Sequence, residues 1–119
     1  MQKDKKSRIV VHGVDGAIIA TELLMADNYW LRLRGLIGRP PLKPQQAIWI
    51  KPCQQVHTHF MSYALDVVFL DRQLRVVEVS RNLEPWRFSP WVRSSHSLLE
   101  FVSGGASRIN VGDQLHIGG

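Results

Sequence analysis

The chain has 119 residues, 45% of them hydrophobic and 21% charged. That is one globular domain's worth of sequence, able to bury roughly two-thirds of its unfolded surface without metal or disulfide help. Its net charge of +5 favours anionic partners, its single cysteine excludes an internal disulfide or an all-cysteine zinc site, and no run approaches the ~18 apolar residues of a membrane span.

Residues 1–7 read as a flexible basic tail and residues 8–119 as a single domain. The tail leads into no apolar run of the kind a secretory leader needs. A lone free thiol suits a reducing compartment, so the expected location is cytoplasmic.

Arg8–Val11 and Ala17–Ala20 are short β-branched runs around His12-Gly13-Val14-Asp15-Gly16. Asp-Gly between two such runs predicts an opening hairpin, with the second strand continuing through Thr21–Leu24. Asp27 or Asn28 can then cap a helix with apolar positions Trp30, Leu33 and Ile37, ended by Gly38 and Pro40-Pro41. Ala47–Ile50 is a compact strand stopped by Pro52, and Gln55–Phe60 reads as extended. Asp66–Leu70 is apolar on both faces and predicts a central, doubly covered strand. Asp71-Arg72-Gln73 turns it into Leu74–Val79 as a second hairpin. Arg81–Trp91 carries two prolines and reads as a loop. Ser97–Val102 is the next strand, with Glu100 on the same face as Leu98 and Val102 and so partly buried. Gly104-Gly105 turns, Ala106–Asn110 fits one helical turn, and Val111–Leu115 opens a last strand. The predicted class is therefore α+β: one compact β-rich domain, a barrel-like mixed or antiparallel sheet with one main helix.

No acid occurs between Asp27 and Asp66, an interval holding Arg32, Arg34, Arg39, Lys43, Lys51, His57 and His59. If these groups share a face, that face attracts anions.

Cys53, His57, His59 and Met61 are all odd-numbered and share one face of an extended segment. Two histidines about 7 Å apart could share a metal ion, but Cys53, about 13 Å off along a strand, could join them only through a turn. No metalloprotease or paired-cysteine spacing is present, and no metal or cofactor is expected. A thiol nucleophile needs Lys51 or His57 to favour the thiolate and an orienting group such as Asp66. Without them Cys53 is a small buried apolar residue.

Pro85-Trp86-Arg87-Phe88-Ser89-Pro90-Trp91-Val92-Arg93 interleaves aromatic rings with arginines. Such a loop can stack bases and meet phosphates, or it can pack its tryptophans over an open end of the core. No phosphate-cradling glycine motif and no RRM or KH signature accompanies it.

Several pieces in this order carry a resemblance. They are Arg34-Gly35-Leu36-Ile37-Gly38-Arg39, His57-Thr58-His59-Phe60-Met61, Leu65–Asp71, Leu83-Glu84-Pro85-Trp86, Leu98-Leu99-Glu100, Gly104-Gly105 and Gly112-Asp113-Gln114-Leu115. From about Ile9 to Leu115 the chain resembles the "domain of unknown function one-nine-two" group of bacteria and archaea. The resemblance implies one small β-rich domain without an assigned activity. Its pattern falls on Arg34, Gly35, Leu36, Arg39, His57, Thr58, Phe60, Met61, Asp66, Phe69, Asp71, Pro85, Glu100, Gly105, Gly112 and Asp113. The chain departs from it at Ile37, commonly methionine, and at His59, commonly aromatic. Many relatives look exported, which this chain's N-terminus does not suggest.

The leading expectation is a non-catalytic module with a basic cleft for a small anionic ligand or a protein partner. Its candidate residues are Arg34, Arg39, Cys53, His57, Thr58, Met61, Asp66 and Trp86. One alternative is a Cys/His-dependent or metal-assisted hydrolase on Cys53, His57 and Asp66. Another is nucleic-acid binding through the basic tail and the Trp86–Arg93 loop. No membrane partner is expected.

Overall fold

The computed structural model describes residues 10–26 and 41–118. Val10–His12 (β1) and Ile18–Ala20 (β2) form the opening antiparallel hairpin. Its turn is a short 3-10 segment, Val14–Gly16, in which Asp15 and Gly16 both have positive φ (62° and 75°). Asp-Gly suits this turn because both residues tolerate the left-handed region.

The chain does not continue straight from β2. It bends at Thr21, whose N–H donates to the Gln45 carbonyl at 2.9 Å. Glu22–Ala26 (β3) then joins a different sheet, where it pairs in parallel with Gln46–Ile50 (β4). Leu65–Leu70 (β5), Val76–Leu83 (β6) and Ser97–Val102 (β7) complete that sheet in the order β3-β4-β7-β5-β6. His116–Gly118 (β8) returns to β1, making a three-stranded sheet β2-β1-β8.

The expected β5–β6 hairpin is present. The Asp71 carboxylate accepts from Gln73 N–H and Arg75 N–H, both at 2.9 Å, and fixes the turn. β6 runs on to Leu83, so the predicted loop begins three residues later than its sequence suggests.

Alternation along the strands splits the core into two apolar clusters, one on each face of the large sheet. Leu23, Ala47, Val68, Leu70, Leu99 and Phe101 belong to one cluster, which the small sheet and the 104–115 connection cover with Ala20, Ala106, Ile109 and Leu115. Ile48, Ile50, Leu65, Val67, Phe69 and Leu98 belong to the other, covered by Leu42, Val56 and Met61 from loops. All six residues of β5 are buried, as a strand covered on both faces must be. Glu100 is wholly buried on the loop-covered face, paired across the sheet with Ile48 on one side and Val67 on the other.

Two expectations need correction. The architecture among the described residues is all sheet, with the 3-10 turn as the one helical segment, so the α+β class with a main helix is not supported. The segment read as that helix, Asp27–Gly38, lies outside the described residues. Nor does the large sheet close into a barrel among the described residues: β3 and β6 are its edges there. The β6 edge is blunted by polar residues instead, namely Glu78, Ser80, Arg81 and Asn82. Ala106–Asn110 forms successive tight turns, with the Arg81 guanidinium donating to the Ala106 and Ile109 carbonyls. No helix among the described residues is long and apolar enough to cross a membrane.

Candidate functional site

Two loop segments, 51–61 and 84–96, lie side by side over the second core face. Backbone hydrogen bonds zip them together: Cys53 N–H to the His96 carbonyl at 3.0 Å, Val92 N–H to Gln54 at 2.9 Å, Ser89 N–H to Val56 at 2.9 Å and Thr58 N–H to Arg87 at 2.9 Å. Side chains lock the same seam. Gln54 Nε2 donates to the Arg93 carbonyl at 2.7 Å, Gln55 Nε2 to the Ser89 carbonyl at 3.0 Å and Ser95 Oγ to the Cys53 carbonyl at 2.9 Å. The predicted extended segment Gln55–Phe60 is therefore a paired loop, with one isolated bridge, His57 to Phe88. The shared strand face proposed for Cys53, His57, His59 and Met61 does not form, because the chain turns at Thr58–Phe60 and sends Met61 into the core.

The seam opens into a cleft of about 650 Å³. Cys53 and His57 line it, together with Gln54, Gln55, Arg72, Phe88, Trp91, Arg93 and His96. Among the described residues the lining holds two arginines and two histidines and no carboxylate. Arg72 and His96 come from the β5–β6 turn and the entry to β7, which meet where His96 N–H donates to the Leu70 carbonyl at 2.8 Å. Neither was legible beforehand, since nothing in their local sequence distinguishes them from surface residues. Phe88, Trp91 and Arg93 do lie in the loop whose alternating aromatic and basic residues stand out.

The other candidates are placed elsewhere. Thr58 is fully buried and serves as a brace: its Oγ1 donates to the Glu84 carbonyl at 2.5 Å and accepts from Arg87 N–H at 2.9 Å. Met61 packs in the core. Asp66 is buried on the opposite face of β5, where its carboxylate accepts from Asn82 N–H at 2.9 Å, Gly104 N–H at 3.0 Å and Ala106 N–H at 3.2 Å. It ties β5 to β6 and to the 104–106 turn and cannot orient a histidine of the cleft. Lys51 does not line the cleft and holds its ammonium 4.2 Å from the centroid of the Trp49 ring. Arg34 and Arg39 lie outside the described residues.

Trp86 belongs to a second feature beside the cleft. Its ring meets Phe60 (centroids 4.8 Å) and His59 (5.3 Å), and His59 meets Phe88 (5.0 Å) and His57 (4.7 Å). The backbone N–H of His59 donates to His57 Nδ1 at 3.3 Å. Among the described residues no three His, Cys, Asp or Glu side chains gather as a ligand set.

The fold and the cleft together define a two-sheet β domain that carries an open, cationic, aromatic-edged cleft on paired loops. The chain belongs to the DUF192 family, described as an uncharacterized ACR, whose model matches residues 10–117. It is 35% identical over 107 residues to a UPF0127 protein of Pyrococcus furiosus, covering 84% of this chain and 90% of that one. A UPF0127 protein of Thermococcus sibiricus is 26% identical over 114 residues, covering 90% and 73%. In fold it is similar to a protein of unknown function from Novosphingobium aromaticivorans, with a TM-score of 0.75, 21% identity and coverage of 91% and 82%. It is similar also to a Sinorhizobium meliloti protein, with a TM-score of 0.78, 19% identity and coverage of 98% and 97%.

Proposed function

We propose that this protein is a non-catalytic binding module whose cleft takes a small anionic ligand. The observation that carries this reading is the lining itself: the Arg72 and Arg93 guanidiniums beside the imidazoles of His57 and His96, with no carboxylate among the described lining residues. Concave walls reduce solvent screening, so the two arginines in a cleft attract an anion more strongly than the same groups on a convex surface. Phe88 and Trp91 add apolar wall, and the volume falls within the ~300–1,000 Å³ typical of small-molecule sites. A thiol hydrolase finds less support. Asp66 is committed to three backbone N–H groups on the far side of the sheet, and Lys51 is held by Trp49.

The test is an amide NMR titration of the intact chain at low ionic strength with phosphate, citrate and aromatic carboxylates. Shifts should gather at Gln54, Gln55, Arg72, Arg93 and His96 and weaken at least ~10-fold in Arg93→Gln, the loss of about 1.5–3 kcal/mol expected for a charged hydrogen-bond partner. Saturation by none of these anions, or unchanged affinity in Arg72→Gln and Arg93→Gln alike, would sink the proposal.

A further inference from the structure

Four aromatic side chains stand out from the surface on the two paired loops. Phe60 is 66% exposed, Trp86 57%, Phe88 63% and Trp91 65%. Exposed large apolar groups are common singly; a cluster on two adjoining loops marks a contact surface.

The backbone points the same way. Phe60 and Trp86 both sit in the left-handed region, at φ 68° and 66°. Bulky residues avoid it, and such strain persists where the surroundings impose it and gathers at functional positions. Here one buried residue imposes it on both. The Thr58 carbonyl accepts from Met61 N–H (3.1 Å) and from Trp86 N–H (3.0 Å), flanking Phe60 and anchoring Trp86. No core packing accounts for rings that remain more than half in solvent.

We propose that the aromatic ridge of Phe60, Trp86 and Phe88 binds single-stranded nucleic acid, with Arg87 and Arg93 on its phosphates. Charge complementarity selects this occupant. Segments 51–61 and 84–96 hold Lys51, Arg87, Arg93 and three histidines against one acid, Glu84. The ring planes of Phe60 and Trp86 are inclined by 59°, so they offer separate faces to successive bases rather than one flat platform for a sugar. Stacking on separate rings with arginine beside them is how single strands are held without reading their sequence. The ridge shares Phe88 and Arg93 with the cleft, yet it does not depend on the cleft's holding a small anion.

The experiment is fluorescence anisotropy of a labelled oligothymidylate about 12 nucleotides long, within the span of known single-strand sites. It is titrated with the full chain across about 50–200 mM salt. Affinity should fall steeply with salt. Trp86→Ala and Phe60→Ala should each weaken it ~5- to 100-fold, the range for losing one stacked base. Trp86→Tyr should restore most of the loss. Neither position lines the cleft, so both alanine variants should keep their phosphate titration, which separates a failure here from a failure of the cleft reading. Unfolding midpoints verify that the variants fold. The proposal is overturned by absent binding at the lowest salt, by affinity unmoved in both alanine variants, by equal affinity for duplex, or by capture on anionic phosphatidylserine vesicles in place of the oligonucleotide.

Discussion

The backbone N–H of Trp86 donates to the carbonyl of Thr58 at 3.0 Å, joining an exposed ring to a wholly buried residue 28 positions earlier. Thr58 Oγ1 bridges the Glu84 carbonyl and the Arg87 N–H on either side of that tryptophan. The exposed tip is thus fixed from the interior. Thr58→Val keeps the shape and removes the hydroxyl, leaving an N–H and a carbonyl without their partner. It should cost about 1–3 kcal/mol in denaturant unfolding. It should also speed amide exchange at residues 84–88 more than in β5. An unchanged midpoint would show that the hydroxyl is not the brace.

The left-handed backbone at Trp86 is testable apart from its ring. Trp86→Gly and Trp86→Ala both delete the indole, but only glycine occupies φ 66° without a Cβ penalty. The glycine variant should be the more stable by about 1 kcal/mol. Equal stability, or the reverse order, would mean that the loop relaxes once the ring is gone.

Asp66 accepts three backbone N–H groups through its two oxygens. Asparagine keeps the shape but turns an NH₂ toward at least one donor. Asp66→Asn should lose about 1.5–3 kcal/mol, measured by urea unfolding, since charged acceptors are the stronger ones. A loss below about 0.5 kcal/mol would place the carboxylate's role in doubt.

Phe69 is fully buried in β5, between β6 and β7. Phe69→Ala should cost about 3–5 kcal/mol by calorimetry or denaturant unfolding. A loss under about 1 kcal/mol is incompatible with a central strand.

A Cβ added to Gly105 would lie 2.8 Å from Phe101 Cβ and 3.0 Å from the Val102 carbonyl oxygen. Both neighbours belong to the central strand β7 and cannot move freely. Gly105→Ala should therefore destabilise by about 1–3 kcal/mol, the usual range for overpacking. A neutral or raised melting temperature would contradict that close approach.

Local patterns were enough to recover most strands, because strand periodicity and turn chemistry are encoded within a few residues. Asp15-Gly16 announces the first hairpin, Asp71 the second, and the unbroken apolar run of Leu65–Leu70 a strand buried on both faces. The family resemblance reached further and was borne out over residues 10–117. The lining of the candidate cleft was only partly legible. Cys53 and His57 reach the cleft, whereas Thr58, Met61 and Asp66 stand out in sequence for reasons of structure: a brace, a core residue and a three-way tie.

What the sequence determined by itself is whatever short range controls: the strands, their turns, and the surplus of positive charge. What tertiary structure decided is whatever depends on residues far apart in the chain meeting in space. The bend at Thr21 sends β2 and β3 into different sheets through a hydrogen bond to Gln45, and β3 and β6 remain the two edges of the large sheet among the described residues. Arg72 and His96 become cleft residues only because β5 and β7 are neighbours, and Phe60 meets Trp86 only because Thr58 ties their loops together. Those contacts follow from burying two apolar faces at once, a constraint on the whole chain that no local window contains.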